Sequence, residues 1–313
     1  MSNVTIILDF LLLGFSEQRE FQILQFVVFL AIYLTILVGN LLIIILVALN
    51  THLQTPMYFF LIHLSIVDLG STSVIIPKSM ANALMNTTRI SYYECVAQIF
   101  FFVFFLSSDL FLLTVMAYDR YVAICHPLHY VSLMKWGSCI QMTGGAWMAG
   151  LLNALLHTGT IFSLPFCSNA INQFFCEIPH LIKLSCSDSY RKEMWTLLFS
   201  SICGLVCFVL IVISYVQIFT MVLRMPSMAK RQKAFSTCIP HLTVVSLLLG
   251  TVLFTYLMPS SISSYNLDKV FAALYSLLPP VMNPIIYSMR NKDVKAALWK
   301  LFYEQLPTKK TMA

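Results

Sequence analysis

The chain has 313 residues and a formal net charge of +6; 59% of its residues are hydrophobic and only 10% are charged. A soluble globular domain carries about 25% charged residues, and a soluble fold of this composition would expose far too much apolar surface to water. These values exclude a soluble globular protein and indicate an integral membrane protein.

Seven long hydrophobic segments follow one another along the chain. A membrane-spanning helix needs about 20 mostly apolar residues, and lipid admits only helices or closed barrels because backbone groups must pair internally. The segments are continuous, unlike the short alternating strands of a barrel, so each predicts a helix. They cover about Leu24–Leu49, Met57–Ile76, Cys95–Ala117, Cys139–Phe162, Trp195–Leu223, Ala234–Met258 and Val270–Met289.

The predicted fold is an all-α membrane protein, a seven-transmembrane helix bundle with a short interfacial eighth helix. Residues 1–23 form the predicted extracellular N-terminus, residues 24–289 the helix bundle and residues 290–313 the cytoplasmic tail. Within the tail, apolar residues recur at helical spacing among lysines, which is typical of an amphipathic helix on the membrane surface. They are Val294, Ala297, Leu298 and Leu301.

Basic residues are distributed unequally between the loops. With the N-terminus outside, 12 of the 19 lysines and arginines lie on the inner side against three acids, and the outer side holds seven basic and eight acidic residues. Because cytoplasmic loops are enriched in Lys and Arg, this predicts a multi-pass plasma-membrane protein with an extracellular N-terminus. Asn3 and Asn86 begin glycosylation sequons on the outer side; Asn3 is the expected site, since Asn86 sits close to the membrane.

Four of the nine cysteines lie on the predicted outer side: Cys95, Cys167, Cys176 and Cys186. An even number of cysteines in an oxidising compartment predicts two disulfide bonds. One would pin the loop before the fifth helix to the start of the third. Four cysteines allow three pairings, and the residues alone leave all three open.

Two acidic residues, Asp68 and Asp109, lie inside predicted helices at mid-membrane depth. Such residues are costly and mark functional sites, and no Lys or Arg lies in a helix core to neutralise them. Facing carboxylates cannot both stay ionised unaided. Two hypotheses follow: a bound Na⁺ held by Asp68 and Asp109 with Asn283 nearby, or a protonated, hydrogen-bonded pair. No other cofactor is expected.

Six segments in fixed order along nearly the whole chain carry a family resemblance. They are Asn40, Leu53–Leu61, Met116–Cys125, Ser214-Tyr215, Lys233–Cys238 and Pro280–Tyr287. The set resembles the class II olfactory receptors of the rhodopsin-like G-protein-coupled receptor family. The chain departs from that family at Leu248-Leu249-Gly250, where Phe-Tyr-Gly is frequent, and at Pro240, where Ser is usual.

The resemblance implies the disulfide pairs Cys95–Cys176 and Cys167–Cys186. It also implies a small volatile ligand, an olfactory-type stimulatory heterotrimeric G protein with cyclic AMP as messenger, and the ciliary membrane of olfactory neurons. Asp119 and Arg120, adjacent and of opposite charge, are expected to pair at rest. The residues implied for coupling and activation are Asp119, Arg120, Tyr121, Tyr215, Asn283, Pro284 and Tyr287.

The ligand site is predicted partly by elimination. The acid that amine receptors place near Phe102 is missing, and Leu277 stands where an opsin-like Schiff base would need a lysine. This favours a largely apolar, uncharged ligand. Aligned to the family motifs, the pocket residues are Phe102, Val103, Leu106, Ser107, Phe199, Ser200, Cys203, Val252, Leu253, Tyr256, Ala273 and Ser276.

Other functions were weighed on the same residues. The sequence shows no phosphate-binding loop, no nucleophile with a base partner, no zinc spacing among its cysteines and no nucleic-acid patch, so an enzyme is not expected. A receptor for an endogenous lipid or metabolite is the alternative that the residues leave open. A transporter or channel is disfavoured because internal repeats are missing and only two acids lie at mid-membrane.

Overall fold

The computed structural model of the chain describes residues 8–16, 18–186, 191–257 and 265–290. Seven helices in this part are long and apolar enough to cross a membrane, which confirms the predicted bundle. They are α1 (Arg19–Leu49), α2 (Pro56–Met85), α3 (Tyr92–Cys125), α4 (Trp136–Ile161), α5 (Arg191–Arg224), α6 (Met228–Leu257) and α7 (Tyr265–Arg290). The predicted tail helix and the Asn3 sequon lie outside the described residues.

Helix ends differ from the hydrophobic segments that predicted them. The helix α2 continues past Pro77 to Met85, because its outer turns still bury Ser79 and Asn82 against neighbouring chain. At the start of α3, the Ser91 side chain accepts from the Glu94 backbone while Glu94 accepts from the Ser91 backbone, a reciprocal cap of two otherwise unpaired N–H groups. Like α2 at Pro77, α6 continues as a helix through Pro240.

The central helix of the bundle is α3, which packs against α2, α4, α5 and α6. Its closest approach is to α4 at Gly150, where a Cβ atom would lie 2.2 Å from the Ser108 Oγ and 2.9 Å from the Phe104 carbonyl oxygen. Glycine is therefore required at this crossing, as is common where membrane helices pack closely.

A three-stranded sheet caps one end of the bundle. Strand β1 (Asp9–Leu12) pairs antiparallel with β2 (Arg89–Ser91), with Phe10 opposite Ile90, and parallel with β3 (Ala170–Ile171). Phe10 is fully buried in the cluster beneath.

Two disulfide bonds lie at the same end as the sheet. Cys95 pairs with Cys176 and Cys167 with Cys186, at Cα–Cα distances of 5.7 and 5.0 Å, which confirms the pairing implied by the family resemblance. Because disulfides persist in oxidising compartments, this is the extracellular end, in agreement with the predicted orientation.

Candidate functional site

The two intramembrane acids lie at one internal cavity. Asp68 and Asp109 are 2% and 5% exposed, and both line a small cavity together with Ser71. The Asn283 side-chain amide donates to the Asp68 Oδ2 at 2.8 Å. The Asp109 Oδ1 is buried and has no hydrogen-bond partner among the described residues. The structure therefore brings Asp68, Asp109 and Asn283 together, as predicted.

The prolines of α7 shape its contact with α1. Pro284 has no N–H, so the carbonyl of Pro280 four residues earlier loses its helical donor. The Asn40 amide of α1 donates to that carbonyl at 3.3 Å. Gly39 lets the two helices approach, since a Cβ there would lie 2.9 Å from the Pro284 Cγ. The sequence identified Asn40 only through the family resemblance. Its physical role is to replace the hydrogen-bond donor that Pro284 lacks.

Several predicted ligand residues line this cavity or lie beside it. Phe102, Leu106 and Ser276 share its wall with the two acids. Val103 is buried in the adjoining outer cluster, and Val252 and Ala273 pack against the cluster that contains Phe102. These residues come together from α3, α6 and α7, as the predicted pocket requires.

An aromatic layer separates the cavity from the extracellular cap. The Phe102 ring lies 5.5 Å from Phe175 and 6.0 Å from Tyr275. The Tyr275 hydroxyl donates at 2.7 Å to Glu177, which is 5% exposed and also contacts His180. Sequence reasoning missed Glu177 and Tyr275; the position of Glu177 directly after the bridged Cys176 was the available signal.

The structure contradicts the predicted place of Phe199. Its side chain is 53% exposed, like Ile202 and Val206 at helical spacing on the same face of α5, each 52% exposed. This face points to lipid. Cys203 is half-buried. For Leu253 and Tyr256 the backbone belongs to α6, but their side chains lie outside what the structure describes.

The predicted polar contacts Ser107 and Ser200 belong to a hydrogen-bonded group between α3, α4 and α5. Asn153 bonds to both serines, at 2.8 and 2.7 Å, and His157 bonds to Ser200 at 2.8 Å. His157 is therefore a hydrogen-bonded residue inside the bundle. Asn153 was missed, although an amide in the middle of an apolar helix was a signal.

At the inner end of α3, the expected pairing of Asp119 with Arg120 is wrong. Asp119 accepts instead from the Tyr130 hydroxyl at 2.9 Å, and Arg120 contacts the Met57 sulfur. No ion pair joins the two in the described part of the chain, because adjacent residues on a helix do not face each other. Burial, and then the Asp119 charge, raise the pKa of Tyr130, so this phenol remains a donor.

A second polar contact at the inner end involves three helices. The Tyr215 hydroxyl of α5 lies 2.9 Å from the His241 Nδ1 of α6, and the His241 Nε2 lies 2.9 Å from the Leu113 carbonyl of α3. A carbonyl only accepts, so Nε2 carries the proton and Nδ1 accepts from Tyr215. His241 is fully buried, and both of its ring nitrogens are hydrogen-bonded inside the bundle.

The remaining predicted signalling residues lie in α3 and α7. Tyr121 bonds to His126 at 2.9 Å in the inner loop. Pro284 and Tyr287 are buried in α7, and the Tyr287 hydroxyl has no hydrogen-bond partner among the described residues. The buried Arg120 Nε is likewise without a partner there. The inner end thus holds polar groups whose bonding is incomplete in this arrangement.

Comparison with known proteins gives a consistent result. The family model described as olfactory receptor matches residues 29–305. Human olfactory receptor 14I1 is 50% identical over 303 residues, covering 96% of the chain and 97% of that protein. Human olfactory receptor 14J1 is 46% identical, covering 99% and 97%. Gorilla olfactory receptor 1G1 is 46% identical, covering 96% of each.

Proposed function

The chain belongs to the olfactory receptor family, whose members are non-enzymatic multi-pass receptors of the plasma membrane, and on this premise we propose what it binds and how it signals. It binds a small, largely apolar, uncharged odorant within the helix bundle. Binding activates an olfactory-type stimulatory heterotrimeric G protein and raises cyclic AMP.

The observation that supports this ligand class is the apolar cavity in the middle of the bundle. Its wall is mostly apolar and includes Phe102, Phe105, Leu106 and Leu248, and its charged groups are the two deep acids. A wall of this kind suits a small molecule that brings little polar surface to bury.

The proposed signal is a shift between two populations of the bundle. A ligand moves an equilibrium only through stronger contacts in one state. Contacts with α3, α6 and α7 at the cavity would favour a state in which the inner end of α6 moves outward. That end carries the exposed Lys230 and Lys233, which suit an acidic G-protein surface or anionic lipid. Arg120 is the group that would meet the G protein.

The test is a cyclic AMP assay in cells that express the receptor, with a panel of volatiles. We expect concentration-dependent cyclic AMP, lost in Arg120→Ala at equal surface expression. Arg89→Ala, which removes an arginine exposed on the outer face, is the matched control and should respond as the wild type. Ligand-gated current without a G protein, or an unchanged Arg120→Ala response, would overturn the proposal.

The acid pair is proposed as a Na⁺ site. Buried oxygens without a hydrogen-bond partner among the described residues, the Asp109 Oδ1 and the Asn283 Oδ1, fit a hard cation, which prefers oxygen ligands. Asp68, Asp109 and Asn283 would hold the ion, which would supply positive charge between the carboxylates. The competing proposal is a protonated pair.

A sodium titration separates the two proposals. Basal and agonist-evoked cyclic AMP of the wild type should depend on sodium concentration, and Asp109→Asn should remove that dependence. Equal sodium dependence in both receptors would exclude the ion site and favour the protonated pair.

A further inference from the structure

We infer that the hydrogen-bonded chain formed by Ser107, Asn153, Ser200 and His157 recognises a hydrogen-bond acceptor on the ligand, such as a ketone, aldehyde, ester or ether oxygen. This inference rests on the proposed function and narrows its ligand class. The argument rests on which protons the four side chains can donate to one another. These side chains come from three different helices.

The series of hydrogen bonds is continuous across α3, α4 and α5. The Asn153 Nδ2 donates to the Ser107 Oγ at 2.8 Å, and the Ser200 Oγ donates to the Asn153 Oδ1 at 2.7 Å. The His157 Nε2 lies 2.8 Å from the Ser200 Oγ. These distances are those of good hydrogen bonds, and each helix contributes at least one member.

The direction of the chain follows from the donors available. A serine hydroxyl has one proton, and Ser200 gives it to Asn153, so the Ser200 Oγ can only accept from the His157 Nε2–H. Asn153 then donates to Ser107, which accepts. The hydroxyl proton of Ser107 is left for a further acceptor, and no acceptor among the described residues takes it.

Neighbouring hydroxyl groups are arranged differently. Ser108 donates to the Phe104 carbonyl at 2.7 Å, Thr114 to the Leu110 carbonyl at 2.8 Å and Ser276 to the Ala272 carbonyl at 2.6 Å. Each returns its proton to its own helix four residues earlier, the common outcome for a hydroxyl in a membrane helix. Ser107 instead accepts a hydrogen bond from Asn153. Its own hydroxyl proton therefore does not go to a backbone carbonyl of α3.

The position of Ser107 suits contact with a ligand. It is half-buried, so packing does not seal off its hydroxyl, and it is one of the residues of α3 in the predicted pocket. Ser200 supports it from α5, the helix that contributes Cys203 to the predicted pocket. In an apolar setting a hydrogen-bonded chain polarises its members and strengthens the terminal donor. A site of this kind penalises ligands that leave its donor unpaired.

The experiment uses purified full-length receptor in lipid nanodiscs and matched sets of volatiles on skeletons of five to ten atoms. Each set contains a 2-ketone, an alkyl ether, a secondary alcohol and an alkane of equal size. The rise in melting temperature gives relative affinity, and cyclic AMP in cells gives potency. We expect ketone and ether to bind about five- to tenfold more tightly than the alkane, the factor for one hydrogen bond.

Two variants locate the effect. Ser107→Ala should reduce ketone and ether to the level of the alkane and leave alkane binding unchanged. Ser108→Ala, a serine one residue away whose proton goes to its own helix, is the matched control and should keep the preference. Surface expression and ligand-free melting temperature are measured for both, so a folding defect is recognised separately.

Three results would overturn the inference. They are an alcohol preference with ether no better than alkane, equal binding of all four members of a set, and a ketone preference that survives in Ser107→Ala. The first would mean that the chain runs in the opposite direction and accepts from the ligand. Absence of binding and of cyclic AMP across every set, with receptor at the cell surface, would instead count against the proposed function itself.

Discussion

The two ends of the bundle are held together in different ways. At the extracellular end, two disulfide bonds and a three-stranded sheet join the N-terminal segment and the loops, and Lys269 of α7 donates to the Gly14 carbonyl at 2.7 Å. At the inner end, the described connections are single hydrogen bonds between side chains or to a carbonyl, such as Tyr130 to Asp119 and Tyr215 to His241.

This difference gives the extracellular end the role of stabilising the fold and the inner end the role of switching between states. A disulfide contributes several kcal/mol and is not exchanged during signalling, whereas one hydrogen bond contributes about 1 kcal/mol net and is readily replaced by another. The ligand end therefore keeps its shape while the inner end can rearrange, as a two-state element requires. Four predictions test this contrast, from the largest expected effect to the smallest.

Loss of the longer disulfide should have the largest effect. Cys176→Ser opens a bridge that spans 81 residues, whereas Cys186→Ser opens one that spans 19. Loop-closure entropy predicts losses of about 4–5 and about 3 kcal/mol. Surface labelling and the melting temperature of purified receptor should both fall more for Cys176→Ser. The reverse order would show that the extracellular cap is not organised by the link to α3.

At the inner end, Tyr215→Phe should change signalling more than expression. It leaves the buried His241 Nδ1 without its donor, at a cost of about 1–3 kcal/mol, and loosens α6 from α5. We expect higher basal cyclic AMP per surface receptor. Tyr33→Phe is the control, since it removes a hydroxyl that bonds to Ser73 in an exposed position. Equal basal activity in both variants would refute the contrast between the ends.

The cap of α3 is a smaller contribution at the outer end. Ser91→Ala removes a side chain that accepts from the Glu94 backbone at 3.2 Å, which costs about 1 kcal/mol. The melting temperature should fall slightly while cyclic AMP responses per surface receptor stay unchanged. Ser91→Thr retains the oxygen and should restore the melting temperature; failure to do so would remove the cap as the cause.

The smallest effect is expected for the ion pair between Lys78 and Glu94. Its N–O distance is 3.0 Å, but the side chains are 29% and 52% exposed, and exposed pairs contribute about 0.2–1 kcal/mol. Lys78→Met and Glu94→Gln should lower the melting temperature by similar small amounts, less so at high salt. A large loss in Lys78→Met alone would mean that the lysine has another role at this end.

The sequence predicted the helices well because a membrane leaves few alternatives. Continuous apolar segments must become helices, so the number and order of the spans agree with the structure. The ends were less accurate: the second apolar segment ended at about Ile76, but buried contacts beyond it extend α2 to Met85. Tertiary packing decides such boundaries, and the hydrophobicity of a local segment does not predict that packing.

The candidate site was predicted in part. Asp68, Asp109 and Asn283 were recognised because charged and amide groups are costly in lipid. Phe199 was misplaced because α5 is apolar over most of its surface, so composition does not distinguish a pocket wall from a lipid-facing side. Asn153 and Tyr275 were missed because their roles depend on partners that are distant in the sequence.

By itself, the amino-acid order determined the spanning helices, their orientation, the buried acids and the family. Only the tertiary structure decided which apolar side chains face the cavity, that Asp119 bonds to Tyr130 rather than to Arg120, and which way the polar chain through Asn153 runs. The reason is physical: transfer into lipid depends on composition along one segment, whereas a hydrogen bond depends on the position and direction of two groups brought together by packing.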